Sequence, residues 1–142
     1  MPPKDLLELA RTCASEFGLD QPLVCALIEE ESSWNPFAIR YEPEFRVRYV
    51  TKLNLPPTEE FARSFSWGLM QVMGQVAREH GFEGSSLAEL CTPDVGLKFG
   101  CITLIGKLRV AGGDLLAGLA LWNGGGNPDY PRKILSKLQK YR

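Results

Sequence analysis

An all-α fold forming one domain over residues 1–142 is what this sequence predicts, and three observations predict it. Apolar residues recur at i, i+3, i+4, i+7 in several segments. Glycine, proline and short polar residues fall at the ends of those segments, where helices start and stop. No segment alternates in the manner of a strand convincingly. With 142 residues and 44% apolar content, the chain is about the size of one ordinary domain and can bury one continuous core. We find no repeat and no linker.

Taken in order, Leu6, Leu9, Ala10, Cys13, Ala14 and Phe17 make the stripe of a first helix, stopped by Gly18. Asp20 is placed to cap a second, with Pro22 tolerated in its first turn. That helix is apolar on every side through Leu23-Val24-Cys25-Ala26-Leu27-Ile28, which predicts a central position. Asn35-Pro36 ends it, because a residue before proline is pushed out of the helical region. Residues 37–65 read as a long loop with one or two short helical turns, and long ordered loops in compact domains are usually functional. We expect it to line a cleft. A third helix is predicted on the stripe Leu69, Val72, Met73, Val76, Ala77 and His80, closed by Gly81. Ser86 and Glu89 make a capping box. Thr92-Pro93-Asp94 opens a helix carrying Leu97, Gly100, Cys101, Leu104, Ile105 and Leu108, stopped by Gly112-Gly113. Asp114 caps a short helix through Trp122, and a last helix carries Tyr130, Ile134, Leu135, Leu138 and Tyr141.

Composition excludes several functions. Sixteen basic against seventeen acidic residues leave no global field to attract nucleic acid. No stretch approaches the roughly 20 apolar residues a membrane span needs, and nothing near Met1 reads as a signal peptide. The expectation is therefore a protein that reaches its target by another export route or by late release, as phage lysins do. Cys13, Cys25, Cys91 and Cys101 are too widely spaced for CxxC chemistry, and His80 is the one histidine, so no zinc set assembles. Buried free thiols are expected. In an oxidising compartment Cys13 would pair with Cys25, or Cys91 with Cys101. No metal and no cofactor is called for, and nothing resembles a dimer seam, so a monomer is expected.

The chemistry concentrates at Glu29-Glu30-Glu31, three carboxylates ending an apolar helix. A carboxylic acid at the border of a dry core has its ionised form disfavoured, which lets it hold a proton near neutral pH. Glycoside cleavage needs such a group, because the leaving sugar oxygen departs easily only when protonated. Periodicity leaves Glu30 and Glu31 both open, and an arbitrary run of three glutamates is more often a solvated helix end.

Four ordered motifs narrow this. Glu31-Ser32-Ser33-Trp34-Asn35-Pro36, then Ser66-Trp67-Gly68-Leu69-Met70-Gln71-Val72-Met73, then Leu90 to Leu97, then Gly113-Asp114 leading to Ala120-Leu121-Trp122-Asn123-Gly124-Gly125 together resemble the soluble lytic transglycosylase family. That family belongs to the lysozyme-like superfamily, near goose-type lysozymes. The resemblance implies a lysozyme-like helical fold with a substrate cleft and a peptidoglycan glycan strand as partner. It puts the catalytic acid at Glu31. It also implies a one-carboxylate mechanism: Glu31 protonates the oxygen between N-acetylmuramic acid and N-acetylglucosamine, then takes a proton from the muramyl C6 hydroxyl as that hydroxyl closes a 1,6-anhydro ring. Gln71 and Met73 would line a sugar subsite, Gly68 would permit close backbone approach, and Ser66 matches the family's serine only approximately.

The departures matter as much. Trp122-Asn123 stands where the family has Tyr-Asn, and an indole N–H can only donate. Trp122 would serve as a wall that raises the Glu31 pKa, or as a platform for a sugar. Gly74 stands where many relatives have proline, which affects the start of the helix. Between Pro36 and Gly68 the chain is longer than the minimal pattern and carries Glu42 and Glu44. If Glu42 or Glu44 reaches the cleft, it would stabilise the oxocarbenium-like transition state or position water and turn the reaction into that of a hydrolytic muramidase; otherwise each is a solvated acid. A catalytically weak glycan-binding virion component is the reading from a different class. Arg132, Lys133, Lys137, Lys140 and Arg142 read either as a surface for anionic polymers or as the wet face of a docked helix.

Overall fold

The structure is a computed structural model and describes residues 2–142. Eight α-helices dominate it: α1 Lys4–Glu16, α2 Gln21–Ser32, α3 Pro43–Phe45, α4 Pro57–Arg63, α5 Gly74–Glu79, α6 Pro93–Val110, α7 Leu115–Asn123 and α8 Tyr130–Lys137. The all-α expectation holds, with one addition. Three short strands, β1 Ile39–Tyr41, β2 Phe65–Trp67 and β3 Val72–Met73, form an antiparallel sheet in the order β1-β2-β3. Strands of three, three and two residues are too short for a period of two to stand out in sequence.

Helix α2 is the axis. Leu23 through Ile28 are all buried, and the helix packs against α1, α8 and the 3-10 turn Leu138–Tyr141 that ends the chain. Pro22 sits in its first turn as expected, but the Asp20 side chain makes no capping hydrogen bond. The caps downstream do form. Ser86 and Glu89 close a capping box on the 3-10 turn Leu87–Cys91, and the Asp114 carboxylate accepts from the Ala117 N–H at 3.1 Å.

The predicted third helix is the main correction. Leu69 to Met73 are a turn and a strand, and only Gly74–Glu79 is helical. Gly68 and Gln71 take left-handed backbone angles, with φ of 76° and 54°, which no helix allows. The apparent stripe arises because Leu69, Met70 and Val72 are buried from a tight turn. Met70 packs on α6 at Gly100: a β-carbon there would stand 2.4 Å from the Met70 sulfur. Gly100 therefore serves as the seat of that turn.

Residues 37–65 are more helical than a loop. After β1, α3 runs into an irregular helical stretch through Arg46–Val50 and Thr51–Leu53, followed by α4. Ion pairs brace this lobe. Arg46 grips Glu60 at 2.6 Å, while Arg63 and Arg78 both reach Glu59 at 2.8 Å.

All four cysteines are free, and Cys13, Cys25 and Cys101 are buried. Burial pushes the Cys25 thiol up to about 11. Neither neighbour in sequence is the partner expected above. Cys13 instead meets Cys101, sulfur to sulfur at 3.9 Å, because α1 lies on α6. Among the described residues, no helix is long and apolar enough to cross a membrane.

Candidate active site

The site is built where α2 ends. Ser33 caps the helix with φ of 50°, and Trp34 follows with φ of 65°. Two successive non-glycine residues in the left-handed region cost roughly 1–2 kcal/mol each. Surrounding contacts hold them there. The Ser32 hydroxyl donates to the Leu69 carbonyl at 2.8 Å, tying the helix end to the Gly68–Gln71 turn. The buried Trp34 indole donates to the Tyr141 hydroxyl at 2.9 Å.

These connections sort the three glutamates. Glu29 accepts from the Tyr141 hydroxyl at 2.5 Å and from the Lys140 ammonium at 3.0 Å. Burial would raise its carboxyl, but those two donors hold it below the ordinary range. Glu30 pairs with Lys137 at 3.4 Å. The basic residues near the chain end thus include two, Lys137 and Lys140, that face α2 across the docked terminal segment. Among the described residues no salt bridge involves Glu31. Its Oε2 accepts from the Tyr130 hydroxyl at 2.5 Å.

Burial raises the Glu31 pKa. The Tyr130 hydroxyl and the Trp122 indole N–H pull the other way, Glu30 adds to the rise, and Arg40 opposes it. Trp122 therefore acts on Glu31 through its N–H in the lowering sense, and half-buried it also packs on the core. The result is a carboxyl biased towards its protonated form that still has a donor waiting for the carboxylate. A group so placed can give a proton and take one back. Tyr130 is the site residue that sequence reasoning missed, since its position on the last helix's apolar stripe looks like that of any core aromatic. Removing its hydroxyl deletes a donor to the carboxylate. In Tyr130→Phe the titration of Glu31, followed by carbon NMR of labelled glutamate, is expected to move to higher pH. An unmoved or lower midpoint would contradict this geometry.

The sheet supplies a second wall. Arg40 is opposite Ser66, and Ser66 is opposite Met73, so the three project from one face. The Ser66 hydroxyl donates to the Gln71 side-chain oxygen Oε1 at 2.8 Å, and the Gln71 side-chain nitrogen Nε2 donates to the backbone carbonyls of Ala38 at 2.9 Å and Gly68 at 3.0 Å. Gln71 thereby fixes its own left-handed turn with its side-chain amide. Gly68 donates its N–H to Ala38 at 2.8 Å, and a β-carbon on it would stand 2.5 Å from the Leu90 carbonyl oxygen.

The remaining predicted residues lie around this frame. The Asn123 amide donates to the Asn127 carbonyl at 3.4 Å, bridging the glycine loop that follows α7. Glu42, just past β1, is paired with Arg40 at 3.1 Å, and Glu44 is exposed. His80 caps the end of α5 and is exposed.

A helical domain whose central helix ends in a half-buried glutamate with a raised pKa, beside a small sheet, defines a lysozyme-like protein. More narrowly, the chain belongs to the transglycosylase SLT domain family, whose model matches residues 8–137. That membership carries peptidoglycan-degrading activity of the lytic transglycosylase type. Searches of curated proteins and of solved structures returned no match.

Proposed function

We propose that the protein is a lytic transglycosylase that cleaves the β-1,4 bond between N-acetylmuramic acid and N-acetylglucosamine with Glu31 as its one acid and base. The observation that carries this reading is the sorting of the carboxylates: Glu29 and Glu30 meet lysines, whereas Glu31 is raised by burial and meets a tyrosine hydroxyl. Protonated Glu31 gives its proton to the glycosidic oxygen, and the leaving sugar departs as an alcohol. The C6 hydroxyl of the muramoyl residue attacks its own C1, and the Glu31 carboxylate, received by the Tyr130 hydroxyl, takes the C6 proton. No water is consumed. The attack is intramolecular, so positioning rather than a second carboxylate lowers the barrier.

In this reading Ser66, Met73 and the backbone of the Gly68–Gln71 turn face the sugar, and the Gln71 amide keeps that turn in shape. Trp122 covers the carboxyl, and Asn123 holds the loop behind it. Glu42, paired with Arg40 in the free protein, is the carboxylate a hydrolytic route would use.

Mass spectrometry of a digest of purified cell wall tests the proposal. Muramoyl ends lighter by one water than hydrolysed ends are expected. Reducing muramoyl ends would make the protein a hydrolytic muramidase, and no soluble sugar at all would leave a glycan-binding virion component.

A further inference from the structure

We propose that Arg40 is a specificity-determining residue: it pairs with a carboxylate carried on the O3 substituent of the muramoyl sugar and so selects muramoyl glycan over uncharged glycan of the same linkage. The proposal rests on the reading of Glu31 as the acid at the cleaved bond.

Strand register is the first support. Arg40 shares its sheet face with Ser66 and Met73, while its neighbour Tyr41 turns to the opposite face and stacks on Phe61 and Phe65. The second support is position: Ser32, next to Glu31, bonds the Leu69 carbonyl, and Gln71 of that same turn bonds Ser66, the strand partner of Arg40, while the Arg40 charge acts on the Glu31 carboxyl in the lowering sense. The third is availability. The Arg40 side chain is 76% exposed and holds Glu42 through one contact of 3.1 Å, a pair so open to water that it is readily exchanged. Arg46, Arg63 and Arg78 are not comparable, since they sit less exposed in pairs with Glu60 and Glu59.

Substrate chemistry supplies the counterpart. A strand of N-acetylglucosamine alone is neutral. A muramoyl residue carries a lactyl ether at O3 that ends either in its own carboxylate or in a peptide bearing one. A planar guanidinium matches such a carboxylate with two parallel N–H donors. On binding, Arg40 exchanges the Glu42 carboxylate for that of the substrate.

Saccharide affinity, measured by calorimetry in the Glu31→Gln background, tests Arg40 without requiring bond cleavage. The ligands are a peptide-free alternating muramoyl oligosaccharide, its peptide-bearing counterpart, and chitotetraose. Arg40→Gln is expected to weaken the carboxylated ligands about tenfold and to leave chitotetraose within about twofold. Glu42→Gln, which removes the internal competitor, is expected to tighten the carboxylated ligands. Discrimination on the peptide-free saccharide assigns the lactyl carboxylate, and discrimination on the peptide-bearing one alone assigns a peptide carboxylate. Equal affinities of parent and Arg40→Gln for both carboxylated ligands, an equal loss on all three, or no affinity of the parent for either carboxylated ligand overturns the proposal. Failure of the Glu31 reading shows separately, as absence of cleavage products from the protein with Glu31 intact.

Discussion

Glu31→Gln is expected to lower the release of soluble sugars from cell wall by about 10³-fold, the scale on which a positioned general acid and base contributes. Glutamine keeps the shape and can still accept from Tyr130, so the loss reads chemistry and not collapse. Thermal melts give the companion result. Burial raises the Glu31 pKa in the folded protein, so the folded state resists ionising this group. Its contribution is favourable below the unfolded carboxyl value, about 4.3, and is lost as pH rises through the folded one. The glutamine variant, which never ionises, is therefore expected to melt higher than the parent at pH 7, with the difference shrinking towards pH 4. Unchanged lysis by the variant ends the assignment of Glu31, and a lower melting temperature at pH 7 contradicts the burial argument.

The second large effect lies in the backbone. Gly68→Ala places a β-carbon at φ of 76° and 2.5 Å from the Leu90 carbonyl oxygen. A left-handed alanine costs roughly 1–2 kcal/mol, and forced packing adds about 1–3 kcal/mol. A destabilisation near 3 kcal/mol lowers the melting temperature of a domain this size by roughly 10 °C. Activity below the melting point should fall too, because the same residue donates to Ala38 and holds the turn bonded to Ser32. A variant that melts with the parent would show that the loop relaxes freely.

Much of the fold was legible because helices announce their ends. Gly18, the Ser86 capping box, Thr92-Pro93 and Asp114 all lie at element boundaries in the structure, whereas α2 ends at left-handed Ser33, ahead of the Asn35-Pro36 stop that was expected. The stretch from Gly68 to Met73 was misread because its shape is imposed from outside. Gln71 is left-handed owing to bonds to Ala38, Gly68 and Ser66, and no periodicity encodes a partner 33 residues away. The lobe of residues 37–65 hid its helices behind prolines and exposed aromatics.

The candidate site was legible in a different sense. The motif beginning at Glu31 pointed to one carboxylate through resemblance, whereas helical periodicity left Glu30 equally open. The geometric reason for the distinction, lysines at 137 and 140 facing Glu30 and Glu29, belongs to the far end of the chain. Tyr130 was invisible for the same cause. Trp122 carried a clear signal as a departure, but nothing in the sequence tells that its pull on the Glu31 carboxyl is in the same lowering sense as that of the Tyr130 hydroxyl.

The hydrogen bond between Tyr130 and Glu31 spans 99 residues of sequence, and that between Tyr141 and Glu29 spans 112. Contacts so distant along the chain form late, after the entropy of closing a large loop has been overcome. A nascent or partly collapsed polypeptide therefore carries the glutamate without the phenol that completes it. In the proposed reading, the acid is complete only once α8 has docked on α2.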